Sequence, residues 1–83
     1  MNNKETVTAF CNGLPPYGKP YGTANRRVYQ RNGQIVLRHY DTDIAAWKDN
    51  YIVMDARYYS PTTSRLQNEI RAGFDDVREA EEI

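Results

Sequence analysis

The chain has 83 residues, 40% of them hydrophobic and 27% charged, and its 11 Lys and Arg balance its 11 Asp and Glu to a formal net charge of zero. That length builds one domain around one modest core, and no apolar run approaches the roughly 20 residues a membrane-spanning helix needs. One cysteine, Cys11, and one histidine, His39, exclude an internal disulfide and a structural zinc site made from soft ligands, so packing must supply the stability.

The zero is a sum of unequal parts. Residues 6–40 carry five bases (Lys19, Arg26, Arg27, Arg31, Arg38) and no acids, a charge of +5. Residues 41–71 carry four bases and five acids, and residues 72–83 set Arg78 against Asp75, Asp76, Glu79, Glu81 and Glu82, giving −1 and −4. Such asymmetry bears on partners and association, not on fold. No apolar h-region follows Met1-Asn-Asn-Lys-Glu5, so the expectation is a cytoplasmic protein without a secretory signal or a membrane partner.

Thr6-Val-Thr-Ala-Phe10, with β-branched residues in loose alternation, predicts a short first strand. Gly13 to Gly22 then holds three prolines and three glycines in ten residues, so residues 1–22 read as an irregular Pro/Gly/Tyr-rich arm after that strand, with Tyr17 and Tyr21 either packing over the domain or offering a proline-rich surface to a partner. Cys11-Asn12-Gly13 falls in a turn.

Asn32-Gly33 supplies the two positive-φ residues of a type I′ turn and predicts a hairpin of Arg27–Arg31 with Gln34–Tyr40. A two-residue turn sets the register. Arg31 opposes Gln34, Tyr29 opposes Val36, Val28 opposes Leu37 and Arg27 opposes Arg38. Val28, Ile35 and Leu37 then face the core, with His39 at its margin. Arg27, Tyr29, Arg31, Gln34, Val36, Arg38 and Tyr40 make a basic, aromatic face. Asp41-Thr-Asp43 reads as a turn. Ile44–Lys48, Asp49-Asn50 and Tyr51–Asp55 read as a second hairpin with Ala45, Trp47, Ile52 and Met54 on the core face and Ile44, Ala46, Lys48, Tyr51, Val53 and Asp55 opposite.

A helix is predicted over residues 60–73, where Ser60 and Pro61 fit the N-cap and first helical position and Thr63 or Ser64 are alternative caps. Leu66, Ile70, Phe74 and Val77, at steps of four, four and three, give it one buried stripe. Acids near a helix C-terminus oppose the macrodipole, which favours a break at Gly73 and leaves residues 74–83 as an acidic tail or short terminal helix. The fold class is α+β, an antiparallel meander of four strands, five with the first segment, and one helix packed on one face.

Gly22-Thr23, Asn32-Gly33, Tyr40-Asp-Thr-Asp-Ile-Ala45 and Tyr59-Ser-Pro-Thr-Thr-Ser-Arg-Leu-Gln-Asn-Glu-Ile-Arg71 resemble the motifs of a group of small, uncharacterised bacteriophage and prophage proteins. The resemblance spans residues 22–74. Its most specific part is the Tyr-Ser-x-Thr-Thr-Ser-x-x-Gln-Asn-x-Ile-Arg helix start, with departures at Pro61, where an aliphatic residue is usual, and at Leu66, where a His is frequent. It implies viral origin, and hence the cytoplasm of a bacterial host, and a compact sheet-plus-helix module. It implies no reaction.

Nucleophilic catalysis would need a base beside Ser, Thr or Cys, and His39 has no neighbour in sequence to make one, so no catalytic residue and no cofactor is expected. Gly18 and Gly22 are interleaved with prolines and open no helix, which excludes a phosphate loop. Asp41 and Asp43 are turn residues in this reading, not metal ligands.

The leading candidate is the basic face of Arg27, Tyr29, Arg31, Arg38 and Tyr40. Arg27 and Arg38, directly opposed, repel unless something negative lies between them. That something is Asp55, the acidic tail, a partner subunit, a nucleic-acid backbone with Tyr29 and Tyr40 stacking on bases, or an acidic protein surface. A secondary candidate is Thr62, Thr63, Ser64 and Arg65, hydroxyls and a cation at a helix start where free amides attract anions, although capping alone accounts for most of that cluster. The expected function is that of a non-catalytic phage protein that binds and inhibits or modulates a host bacterial protein, an anti-CRISPR-like antagonist being the most specific form. Single-stranded nucleic-acid binding and self-assembly as a homo-oligomer are the alternatives.

Overall fold

The structure, a computed structural model, describes residues 2–13, 19–23, 25–80 and 83. The tyrosine-proline arm around Tyr17 and the tail acids Glu81 and Glu82 lie outside the described residues. Asn32 and Gly33 take φ of 53° and 79° and join strands Arg26–Arg31 (β2) and Gln34–His39 (β3) in the register the turn dictates, from Arg31↔Gln34 to Arg26↔His39. Asp49, at φ 50°, with Asn50 joins Thr42–Lys48 (β4) to Tyr51–Asp55 (β5), and Trp47↔Ile52 and Ala45↔Met54 pair as the two-residue loop requires.

The described residues form six strands in the order β1 to β6, with Tyr21–Gly22 (β1) antiparallel to β2 at one edge and Val77–Ala80 (β6) parallel to β5 at the other. The class is therefore α+β, as the sequence predicts, but the sheet is mixed and larger than a four-strand meander, and there are two helices. Two predicted segments change identity.

Thr6–Phe10 is not a strand but the middle of the helix Asn3–Cys11 (α1). Asn2 and Glu5 close a capping box at its start, the Asn2 side chain accepting from the Glu5 amide at 2.8 Å and Glu5 accepting from the Asn2 amide at 3.0 Å. Gly13, at φ 70°, follows the Asn12 cap. The helix buries Val7, Phe10 and Cys11, spaced three and four residues apart, in the core.

Val77–Ala80 is not a tail or terminal helix but β6, because the helix Pro61–Gly73 (α2) stops where the acidic run begins and the chain turns back along β5. Phe74, extended at φ −151°, is the C-cap, so Phe74 and Val77 reach the core from outside the helix. Gly73 matters for closeness, since a Cβ there would lie 3.0 Å from Cys11 Sγ.

Both helices cover one face of the sheet. Their Val7, Phe10, Cys11, Leu66 and Ile70 share the core with Val28, Leu37, Ile44, Ala45, Ile52 and Met54. Trp47 closes the α1 end, donating its indole N–H to the Phe10 carbonyl at 2.7 Å and meeting the Phe74 ring edge-on with centroids 4.8 Å apart. Gln67 ties α2 to the end of β5, its amide donating to the carbonyls of Asp55 at 2.6 Å and Arg57 at 3.0 Å.

Candidate functional site

The uncovered face is built by the register. Tyr29, Val36, Ala46, Val53 and Arg78 form one cross-strand row, and Gly22, Arg27, Arg38 and Asp43 another. The second row depends on a bulge. Leu37 pairs with Ala45, but Arg38 pairs with Asp43, so Ile44 is the extra residue in β4. Strict alternation would put Ile44 on the polar face and Asp43 among the core residues. The bulge reverses both, and Ile44 is fully buried in the core rather than on the polar face.

The turn between β3 and β4 is Tyr40-Asp41, one residue earlier than Asp41–Asp43. Asp43 therefore belongs to β4 and becomes the anion of the basic face. It accepts from the Tyr29 hydroxyl at 2.8 and 2.9 Å, from Arg31 and from Arg38 at 3.1 Å. Burial first, and then this carboxylate, push the Tyr29 phenol above its usual pKa. Arg38 also donates to the Asp41 carbonyl at 2.9 Å and is drawn toward β4, away from Arg27 across the hairpin.

Neither Asp55 nor the described part of the acidic end supplies that neutralisation. Asp55 is buried and holds Arg57 at 2.9 Å and the Tyr59 hydroxyl. Burial raises its pKa, but the bonds from Arg57, Tyr59 and the Arg57 amide outweigh this and leave it below the ordinary carboxylate value. Glu79 pairs with Arg71 at 2.7 Å. Asp76 pairs with Arg78 at 3.2 Å, and that guanidinium lies 3.7 Å from the centre of the Tyr51 ring.

What remains is a shallow groove of about 350 Å³ lined by Pro20, Arg27, Tyr29, Arg38, Tyr40 and Asp41. Four of the five residues picked out from the sequence meet there. Arg31 stands apart from the lining and acts through Asp43. Arg27 is exposed, and among the described residues its side chain makes no ion pair or hydrogen bond. Pro20, Asp41 and Asp43 are not among the predicted site residues. The signal for Asp43 is the conflict in β4, where period-2 alternation back from Trp47 would bury a carboxylate.

The secondary cluster is dispersed by the start of α2. Ser60 is the N-cap and accepts the Thr63 amide at 3.1 Å, so the helix start is closed by its own chain. Thr63 is buried, with Oγ1 2.9 Å from His39 Nδ1, while Thr62 and Arg65 are exposed and Ser64 is half-buried. The Ser60 hydroxyl donates to Thr63 Oγ1 at 3.1 Å, so Ser60, Thr63 and His39 form one hydrogen-bonded chain. Burial first, then the charge of Arg26, lower the His39 pKa. Cys11 is buried, and burial pushes its thiol up to about 11, so it is not a thiolate at neutral pH.

Among the described residues no three His, Cys, Asp or Glu side chains gather as a metal site, and no helix is long and apolar enough to cross a membrane. Fold and site together define a small α+β protein, a mixed sheet with helices on one face and a groove of arginines and tyrosines on the other. The chain belongs to a family of unknown function, DUF8033, whose model matches residues 16–83. No curated protein and no solved structure matches it.

Proposed function

We propose that the protein is a non-catalytic binding protein that docks an acidic surface of a partner protein in the groove of Arg27, Tyr29, Arg38 and Tyr40. The observation that carries this reading is Arg27. Arg31, Arg38 and Arg78 on the same face are held by Asp43 and Asp76, whereas Arg27 is exposed at the groove with no partner among the described residues. An unpaired guanidinium between tyrosines is the composition that dominates protein interface anchors. The resemblance to phage proteins supports a bacterial host protein as the partner, with inhibition or modulation by steric occlusion as the effect, and antagonism of a host defence protein as its most specific form.

Protein is favoured over nucleic acid by local charge. Of the three arginines Arg27, Arg31 and Arg38, two are offset by Asp41 and Asp43, so the face keeps an excess of one positive charge, enough for a carboxylate of a partner protein. A nucleic-acid backbone, with one negative charge per nucleotide, selects for a larger cationic excess.

Affinity capture from a bacterial host lysate tests the reading against Arg27→Glu. A protein retained by the wild type and lost with the variant supports it, and capture unchanged by the variant refutes it. Binding of a fluorescent single-stranded oligonucleotide at low salt that falls steeply as salt rises replaces it with the nucleic-acid reading.

A further inference from the structure

The described large hydrophobic side chains that stand exposed are Tyr40 at 55%, Tyr58 at 71% and Tyr59 at 38%. They come from two separate connections, yet they lie at one end of the sheet. β3 and β5 run in the same direction with β4 between them, so their ends lie about two strand spacings apart, roughly 10 Å, with Tyr40 one residue beyond the first and Tyr58 three residues beyond the second. The His39–Thr63 bond fastens the first turn of α2 to the same end. Tyr59 is braced by Asp55 and Arg57, whereas Tyr58 makes no hydrogen bond or ring contact among the described residues.

Tyr40 is also costly where it stands. Its φ is 54°, the left-handed region, which disfavours bulky side chains; the other non-glycine residues with positive φ are Asn32 and Asp49, types that tolerate it. More than half of the residue is exposed, so only an edge contact of its ring with His39, centroids 4.5 Å apart, and the bond from its amide to the Asn25 carbonyl at 2.7 Å are set against the strain. A strained backbone holding an exposed aromatic ring is an arrangement that function retains against stability.

One guanidinium without a partner among the described residues lies beside these rings, that of Arg27, which shares the groove with Tyr40. We propose that Tyr40 and Tyr58 are the apolar anchors of a docking surface that runs from the Arg27 groove round this end of the sheet, and that it takes a protein segment in which apolar side chains alternate with carboxylates. This rests on the groove reading above and extends it to the partner's chemistry.

The test is selection of a random twelve-residue peptide display library on the immobilised full chain, alongside Tyr58→Ser, Tyr40→Asn and Arg27→Glu. The wild type should enrich peptides that combine Asp or Glu with Leu, Phe or Trp, and the enrichment should fall at least tenfold in each variant. Tyr40→Asn should at the same time leave Tm unchanged or higher, relief of left-handed strain offsetting the lost edge contact with His39. Tyr58→Ser, at a position 71% exposed, should leave Tm unchanged and so keeps the binding arm independent of folding. Enrichment lost only in Arg27→Glu overturns the tyrosine surface and leaves the groove reading standing. Enrichment in no protein, or of basic peptides, overturns both. A lower Tm for Tyr40→Asn shows that the ring is structural and also overturns the inference.

Discussion

Replacing Asp43 by Asn removes one negative charge and leaves a side chain of the same shape. The Tyr29 hydroxyl, at 2.8 and 2.9 Å, donates to a charged acceptor in a partly buried setting, a bond worth about 1.5–3 kcal/mol. The Arg31 and Arg38 side chains are 40% and 31% exposed, so solvent screening discounts each ion pair to about 0.5 kcal/mol. The carboxamide oxygen of the substituted side chain would retain about 1 kcal/mol of the hydrogen bonding. The net cost is then about 1.5–3 kcal/mol, a large share of the roughly 4–12 kcal/mol that holds a domain of this length. Urea unfolding at 0.05 M and 1 M NaCl separates the contributions. The charge part fades as the screening length shrinks from above 10 Å to about 3 Å, so the cost should fall toward 1 kcal/mol at high salt. A cost below about 0.5 kcal/mol at low salt, or one that does not change with salt, would refute Asp43 as the organiser of the basic face. Because the substitution also frees Arg31 and Arg38, it should tighten binding of acidic peptides even as it loosens the fold.

His39 is the one histidine of the chain, and its folded pKa lies below the ordinary 6.5, so the unfolded chain takes up the proton first as pH falls. Its contribution is complete above 6.5 and is lost on acidification through the folded value. Urea unfolding between pH 7.5 and 5.5 should show stability falling with pH, and His39→Asn should flatten the slope; an equal slope in the variant rejects this. Gly73→Ala puts a Cβ 3.0 Å from Cys11 Sγ, and this crowding should cancel the roughly 1 kcal/mol that Ala otherwise gains over Gly in a helix. In a Cys11→Ala background the new methyl should fill the vacated space, and a double-mutant cycle without favourable coupling of at least about 0.5 kcal/mol removes this contact from the account. Asn2→Ala opens the capping box and should cost about 1 kcal/mol. Trp47 fluorescence should follow that loss, because its indole N–H holds the Phe10 carbonyl in the last turn of α1.

The parts of the fold legible in the sequence are those decided locally. Asn32-Gly33 specifies its turn, the turn specifies the register, and the register brings Arg27, Tyr29 and Arg38 onto one face. Ser60-Pro61 and Gly73 bound α2 for equally local reasons. α1 is hidden by its β-branched Thr6, Val7 and Thr8, although Asn2 and Glu5 at capping-box spacing and the interval Val7, Phe10, Cys11 both favour a helix. β6 has no local signature, since a charged four-residue segment becomes a strand only when β5 offers its edge. The bulge lies between these extremes. Period-2 alternation through β4 puts Ile44 outside and Asp43 inside, and the cost of burying that carboxylate indicates that one residue must be displaced.

The parallel strand at the end of the chain also divides the amides of its neighbour. In β5 the Ile52 amide donates to the Asp76 carbonyl, and the Ala56 amide just beyond it donates to Ala80, both at 3.0 Å. Tyr51 and Val53, pointing the other way, bond across to β4. Hydrogen exchange along this one stretch therefore reads two openings by turns. Even-numbered amides report release of β6, which one strand and a crossover helix hold in place, and odd-numbered amides report separation of the central hairpin. Should the chain's end detach before the rest of the sheet, the record will be an alternation in rate from one residue to the next, at a newly bared edge of a sheet otherwise intact.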